Sequence, residues 1–220
     1  MNIKYLLTLP NRLRHRRGFG VQSPWAYEFV RDVVEEKSLY YAFDDMADLT
    51  ASLGLDVKPS LKRHYELLFR IVNRLKPSYV LQAGIGDALN ACYMSLPDKE
   101  TRCYAVSHSF SEMSKRLLED FSVKCMEGDV VELCRQIIES QGKIGILDFP
   151  LTEKFETLYE YAVGNVNSDS LFILEEIDSE EGRLIWNKIL DDERTAVTFD
   201  LGSAGLAFFD KRRCKQNFTL

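Results

Sequence analysis

The fold is decided by residues 79–93, which read Tyr-Val-Leu-Gln-Ala-Gly-Ile-Gly-Asp-Ala-Leu-Asn-Ala-Cys-Tyr. The first of them form an apolar strand end, and the last resume the apolar spacing of a helix. Between the two, Gly84 and Gly86 let the backbone turn sharply and approach a ligand, because neither carries a Cβ. This succession indicates a nucleotide or nucleoside pocket. A tight strand-to-helix connection without any ligand is the alternative interpretation of the same turn.

A third glycine is missing from the turn, because Leu89 stands at the position where the complete Gly-x-Gly-x-x-Gly pattern has one. Dinucleotides, whose pyrophosphate group needs the complete pattern, are therefore disfavoured, and a nucleotide-binding oxidoreductase ranks last among the candidate functions. An adenosyl ligand without phosphates fits the incomplete pattern.

Length and charge favour a single α/β domain that does not bind nucleic acid. The 220 residues suffice for one sizeable core with an N-terminal extension. A formal net charge of -6 gives no overall attraction to polyanions, so no nucleic-acid partner is expected. Four arginines crowd residues 12–17, and this run is interpreted as a solvated arm in preference to a phosphate or RNA contact.

The cysteines and the N-terminus predict a cytoplasmic protein. None of the five cysteines has a zinc-site spacing, so we expect neither disulfides nor a structural metal, but small buried hydrophobic side chains in a reducing compartment. The apolar run before Pro10 is too short for a signal peptide or a membrane span. No membrane partner is expected.

The first 60 residues predict a helical extension. Ser23-Pro24 has the form of an N-cap followed by proline at the first helical position. The extension carries aromatic residues that either dock it on the main domain, the favoured interpretation, or form a lid: Phe19, Trp25, Tyr40, Tyr41 and Phe43. We therefore divide the chain into residues 1–60, an N-terminal helical extension or lid, and residues 61–220, an α/β domain that starts with a helix over 61–75.

Apolar strands alternate with helices in the α/β domain. Strands are predicted at residues 79–81, 103–106, 144–147, 171–174, 196–199 and 206–209, and helices at residues 113–121, 131–140, 152–163 and 180–190. The alternation predicts a doubly wound, mostly parallel sheet covered on both faces. Only residues 200–205 separate the last two strands, so the sheet ends in an antiparallel hairpin.

Several strings together resemble the class I S-adenosylmethionine-dependent methyltransferases over residues 61–220. They are the glycine turn, Cys103-Tyr-Ala-Val-Ser-His108, Met126-Glu-Gly-Asp129, Ile146-Leu-Asp148 and Leu174-Glu-Glu-Ile177. The strings at residues 17–24, 205–209 and 215–219 also resemble a bacterial subgroup seen in Bacteroides and its relatives, distantly similar to catechol O-methyltransferases. The resemblance implies a Rossmann-like methyltransferase fold and S-adenosylmethionine as the cofactor.

The resemblance also implies cofactor-binding positions, at which the motifs are degenerate. Gln82 stands where the family has a carboxylate for the amino-acid end of the cofactor, and Ser107 and His108 stand where an acidic residue binds the ribose. Charge-assisted hydrogen bonds are about twice as strong as neutral ones, so we expect weakened cofactor binding. The implied cofactor-binding residues are Gln82, Gly84, Gly86, Ser107, His108 and, on the adenine side, Gly128 and Asp129.

Asp148 matches the acidic position of the fourth strand that faces the methyl group and the acceptor, so the resemblance implies a general base or acceptor-orienting residue. Catechol O-methyltransferase-like enzymes use this aspartate with an Asp-Asn pair after the fifth strand to hold a divalent cation. Here Glu175 and Glu176 follow that strand, and we predict no metal ligands. His64 has no paired nucleophile in the sequence, and no catalytic triad can be named.

Two functions from different classes follow. The first is an S-adenosylmethionine-dependent methyltransferase acting on a small molecule by in-line displacement. The second is a methyltransferase-fold protein that has lost turnover and serves as a binding or assembly module, which the missing carboxylates support. The expected partner is a small-molecule substrate, and a homodimer is compatible with either function.

Overall fold

The computed structural model describes residues 23–84, 88–151 and 153–220. The helices within these ranges are α1 (Pro24–Phe29), α2 (Tyr41–Ser52), α3 (Pro59–Leu75), α4 (Leu89–Ser95), α5 (Glu112–Asp120), α6 (Val130–Gln141), α7 (Glu153–Val163) and α8 (Glu180–Asp191). The strands are β1 (Tyr79–Ala83), β2 (Arg102–Ser107), β3 (Lys124–Glu127), β4 (Ile146–Pro150), β5 (Leu171–Glu175), β6 (Val197–Asp200), β7 (Gly205–Phe208) and β8 (Gln216–Thr219). A π-helical turn, Val30–Val34, continues α1.

The described strands form one eight-stranded sheet in the order β3-β2-β1-β4-β5-β7-β6-β8. All neighbouring strands are parallel except at β7, which runs antiparallel to both β5 and β6. A turn closed by a hydrogen bond from Leu201 N to Ala204 O, 2.9 Å long, joins β6 to β7. The predicted fold class, a mostly parallel doubly wound sheet with an antiparallel hairpin at one end, is confirmed.

Two strands were not predicted from the sequence, and both lie at edges of the sheet. The side chains of β3 are exposed or half-buried, and in β8 only Phe218 is buried, so neither strand has a continuous apolar run. The fourth strand is also shifted toward the C-terminus, to Ile146–Pro150 from the predicted 144–147. Its buried polar residue, Asp148, interrupts the apolar run that the prediction followed.

The N-terminal helices share a core with the sheet. Phe29 is 3% exposed and stacks on Phe199 of β6 with 5.4 Å between ring centroids. Trp25 packs edge-on against Phe208 at 4.9 Å, and Phe43 against Phe69 of α3 at 5.0 Å. These aromatic side chains therefore dock the N-terminal extension on the α/β domain.

Other expectations about the extension had mixed outcomes. Tyr41 is 91% exposed and takes no part in docking, and Phe19 lies outside the described residues. The division at residue 60 stays a prediction, and α3 begins at Pro59. The expectation of buried cysteines is wrong for Cys125 and Cys214, which are exposed. Within the described ranges, every helix is too short or too polar to cross a membrane.

Candidate functional site

The predicted cofactor positions gather at the carboxyl ends of β1, β2 and β3. Gly84 N donates to Val106 O over 2.8 Å, and Gly128 N donates to Ser107 O over 3.0 Å, so the three strand ends are tied together. Gly84 is exposed and has a φ of 81°, a left-handed conformation that glycine adopts without a steric penalty. Gly86 lies outside the described residues.

The start of α7 lies over Gly84. A Cβ built on Gly84 would lie 2.6 Å from Cζ of Phe155, so the aromatic ring already occupies the space in front of the glycine. On the same stretch of chain, Lys154 Nζ contacts His108 Nε2 beyond the end of β2. These contacts hold the β4–α7 connection across the region where the sequence predicts the cofactor.

Three predicted cofactor residues use side-chain atoms within the protein. Ser107 Oγ donates to Ser109 O over 3.0 Å. Asp129 Oδ1 accepts from Glu132 N over 2.9 Å and so caps α6. Gln82 is buried beside Asp148, its register partner in β4, and its Nε2 lies 3.5 Å from Asp148 Oδ2. The geometry thus joins Gln82 to the predicted catalytic residue.

Asp148 is sealed inside the molecule. Its exposure is 0%, and its Oδ2 also accepts from Asn90 Nδ2, in the first turn of α4, over 3.2 Å. Burial raises the pKa of this carboxyl well above its usual value, and the negative charge of Glu175 raises it further. Oδ1 has no donor among the described residues.

His64 contacts the carboxyl of Glu175, and the sequence did not reveal this contact. Its Nε2 lies 2.8 Å from Glu175 Oε1, and both side chains are mostly buried. The neighbouring Tyr65 stacks on Tyr93 of α4 with 5.3 Å between ring centroids, which fixes α3 against α4. No local spacing could have signalled this contact, because His64 and Glu175 lie on distant elements of the chain.

A cavity of about 680 Å³ opens beside His64, which forms part of its wall. Its other walls are the segment before α2, the beginning of α2, one face of α3, and the β6–β7 turn. That turn is tied to the end of β5 by a hydrogen bond from Ile177 N to Ser203 O, 3.0 Å long. Four basic and four acidic residues line the cavity: Lys37, Lys62, Arg63, Arg70, Glu35, Glu36, Asp44 and Glu66. The volume suits a small molecule.

Strained backbone flanks the site. Ala88, just before α4, has a φ of 61°, and Glu176, just after β5, has a φ of 59°. Such left-handed conformations are costly for residues other than glycine and cluster at functional sites. In the ranges that the structure describes, no group of three His, Cys, Asp or Glu side chains is arranged to hold a metal ion.

Solved structures that superimpose on this chain include methyltransferases. A methyltransferase from Geobacter sulfurreducens superimposes with a TM-score of 0.58 at 15% identity, over 80% of this chain and 93% of that one. For the O-methyltransferase from Bacillus cereus in complex with SAH, the TM-score is 0.57 at 14% identity, over 84% and 96%. For TomG from Streptomyces achromogenes, an O-methyltransferase of tomaymycin synthesis in complex with SAM, it is 0.58 at 11%, over 80% and 92%.

The comparisons of sequence gave no match. No protein-family model matches the chain, and no curated protein matches it either. The evidence for the class is the sheet order, the reversed β7 and the structural neighbours together. The chain has the fold of the class I S-adenosylmethionine-dependent methyltransferases.

Proposed function

We propose that this chain is an S-adenosylmethionine-dependent methyltransferase that acts on a small-molecule acceptor. The observation that carries the proposal is a row of polar neighbours at the carboxyl ends of the strands. It runs from Gln82, two residues before the exposed Gly84, through Asp148 and Glu175 to His64 in the cavity wall. Ligands of open α/β sheets bind outside the carboxyl ends of the strands, where these features lie.

The residues at the strand ends fit an adenosyl cofactor in part. The main chain at Gly84 is accessible, and Ser107, His108, Gly128 and Asp129 offer polar groups along the same edge. When bound, the cofactor supplies an electrophilic methyl group on a sulfonium. Catalysis then consists chiefly of holding the acceptor in line with that group. We assign this task to the walls of the cavity, with Asp148 and Gln82 supporting them from below.

The direct test is binding of S-adenosylhomocysteine, measured by calorimetry and by the thermal unfolding midpoint. A ligand at 100 times its Kd stabilises the folded state by about 2.7 kcal/mol, so the midpoint should rise clearly at submillimolar concentrations. Gly84→Val should abolish the rise, because its Cβ would meet the Phe155 ring at 2.6 Å and force that ring further into the predicted ligand space. Each variant is compared with its own ligand-free midpoint, since valine at this φ is itself strained.

Gly164→Val is the matched control. Gly164 is exposed, and a Cβ there would only reach ordinary contact with Tyr161 O at 3.4 Å. This variant should keep the full ligand-induced rise. An unchanged rise in Gly84→Val would show that the ligand binds elsewhere, and no rise in the wild type would exclude the methyltransferase.

A methyltransferase-fold binding module is the second candidate function. Phe155 in front of Gly84 and Lys154 against His108 favour it, because both contacts occupy space that the cofactor would need. The lack of a carboxylate at positions 82, 107 and 108 favours it as well. Absence of binding in the experiment above is its expected outcome. The cytoplasmic location and the homodimer stay predictions.

A further inference from the structure

Arg70 of α3 is a charged side chain that lies almost entirely inside the protein, at the wall of the cavity. It is 8% exposed, and its Nε donates to Val33 O over 2.8 Å. That bond uses one of the N–H donors of the guanidinium. Within the described part of the chain, Nη1 and Nη2 have no hydrogen-bond partner, and Arg70 forms no ion pair. Its positive charge is therefore not neutralised by a contacting anion.

The neighbouring carboxylates do not pair with Arg70. Glu36 accepts from Tyr40 Oη over 2.9 Å, and Glu66 lies 3.9 Å from Lys62 Nζ. Both act on Arg70 through their charge alone, and burial lowers the pKa of the guanidinium in spite of them. A buried charge without a partner is costly. An anion that reached Arg70 would remove this cost.

The unpaired edge of the guanidinium faces the cavity. Nη1 and Nη2 are not among the partnerless polar atoms that are sealed from solvent, as Trp186 Nε1 is, so both stay accessible. Because Arg70 lines the cavity, the space that these nitrogens reach is the cavity itself. Their N–H bonds form a planar fork that matches the two oxygens of a carboxylate.

The wall beside this fork is apolar. Leu67 lies three residues before Arg70 on α3, so the two side chains share one face of the helix. Tyr40 and Phe43 continue the wall, with 5.2 Å between their ring centroids. Phe69 supports Tyr40 from behind at 4.8 Å. A ligand in this place meets a charged anchor at one end and an apolar surface along its body.

We propose that the cavity binds a small organic acid whose carboxylate is held by Nη1 and Nη2 of Arg70 and whose apolar body lies against Leu67, Tyr40 and Phe43. The ligand is a monocarboxylate. Apart from Arg70, three basic and four acidic residues line the cavity, so a second negative charge would gain no further attraction. The inference goes beyond the proposed function, because such a site serves the acceptor of a methyltransferase and the ligand of a binding module equally.

The test uses benzoate, a carboxylate on a flat apolar ring, and benzamide, its neutral counterpart. Each is titrated into the full-length protein without cofactor, and binding is measured by saturation-transfer NMR. We expect benzoate to bind and benzamide to bind at least about tenfold more weakly, because the charge-assisted hydrogen bonds are lost.

Arg70→Lys keeps the positive charge but lacks the planar fork. The Kd for benzoate should therefore rise by about tenfold. Arg116→Lys, the same change at an exposed site on α5, is the matched control and should leave the Kd unchanged.

Glu36→Gln is a second variant, and it leaves Arg70 in place. It removes a negative charge that acts on the guanidinium and keeps an acceptor for Tyr40. The Kd for benzoate should fall by about threefold, the effect of one partly screened charge. Glu28→Gln, at an exposed position on α1, should leave the Kd unchanged. If Arg70→Lys fails to fold, Glu36→Gln decides by the same measurement.

The proposal is overturned if the wild type does not bind benzoate, if benzamide binds equally well, or if folded Arg70→Lys keeps the Kd of the wild type. An unchanged or raised Kd in Glu36→Gln also contradicts it. Tighter binding of phenyl phosphate than of benzoate would make the ligand a phosphate instead of a carboxylate. S-adenosylhomocysteine is titrated separately, so its failure to bind would refute the methyltransferase and leave the carboxylate site standing.

Discussion

The surroundings of Asp148 change the pKa of its carboxyl group. A strand-end aspartate is normally ionised, but this one is fully buried beside a second carboxyl, and both circumstances raise its pKa. Gln82 and Asn90 each donate to it, which makes the cluster a connected polar network inside an apolar core. Partly satisfied networks of this kind are sensitive to the loss of a single partner.

Asp148→Asn should remove a pH-dependent penalty on folding. The pKa of Asp148 is higher in the folded protein than in the unfolded chain, so the unfolded chain loses its proton first, at about pH 4. Folding then loses stability as the pH rises toward the raised pKa. An asparagine stays neutral, donates to Glu175 and accepts from Asn90. Its unfolding midpoint relative to the wild type should therefore climb between pH 4 and pH 8.

The expected gain is about 1.4 kcal/mol for each pH unit over which the folded protein holds the Asp148 proton and the unfolded chain does not. Asp45→Asn, at an exposed position on α2, is the control and should show a difference independent of pH. A constant difference in Asp148→Asn too would mean that the carboxyl is ionised in the folded state.

At the scale of elements, the beginning of α7 controls access to the glycine turn. Phe155 lies in the apolar layer beneath α6, α7 and α8, with its ring 6.2 Å from that of Phe149. The same ring meets Gly84. Helix α7 is thus anchored by an aromatic side chain that also occupies predicted ligand space, so ligand binding and packing of this helix compete.

Phe155→Leu should tighten binding of S-adenosylhomocysteine. The shorter side chain keeps an apolar group in the core but withdraws from Gly84, so less packing is lost when the ligand enters. We expect Kd to fall by about tenfold, equivalent to about 1.4 kcal/mol, in isothermal titration calorimetry. Phe121→Leu, at the end of α5 away from the turn, should leave Kd unchanged. Weaker binding by Phe155→Leu would indicate that the ring contacts the ligand directly.

At the scale of the whole molecule, the N-terminal helices and the sheet share one apolar core. We therefore expect them to unfold in a single transition. The apolar cluster that contains Phe29 and Val30 of the extension also contains Ile146 and Leu171 of the central strands. Arg70 adds a polar link, since its Nε donates to Val33 O over 2.8 Å. The cavity lies at this junction, so its shape depends on the extension being docked.

Phe29→Ala should lower the midpoint of a single unfolding transition. Replacing a buried phenylalanine by alanine typically costs 3–5 kcal/mol, so we expect a loss of about this size in chemical denaturation. Tyr27→Ala, two residues earlier and 39% exposed, should cost about 0.5 kcal/mol or less. Two separate transitions, or an unchanged midpoint in Phe29→Ala, would show that the extension is a separate unit.

The sequence by itself determined the order of elements and the class of fold. Periodicity located β1, β2, β5 and the helices between them, because buried strands and amphipathic helices must repeat their apolar residues at fixed intervals. The short connection before β7 predicted the reversed strand for the same local reason. Periodicity did not locate the edge strands β3 and β8, because a strand with little buried surface has no apolar run in its sequence.

Only the tertiary structure decided which side chains share the site. His64 of α3 contacts Glu175 of β5, and Phe155 of α7 reaches Gly84 after β1. The pKa of Asp148 likewise depends on burial and on a charge from another strand. The local sequence does not show which remote segments lie close together or which side chains become buried. Both depend on how the whole chain packs.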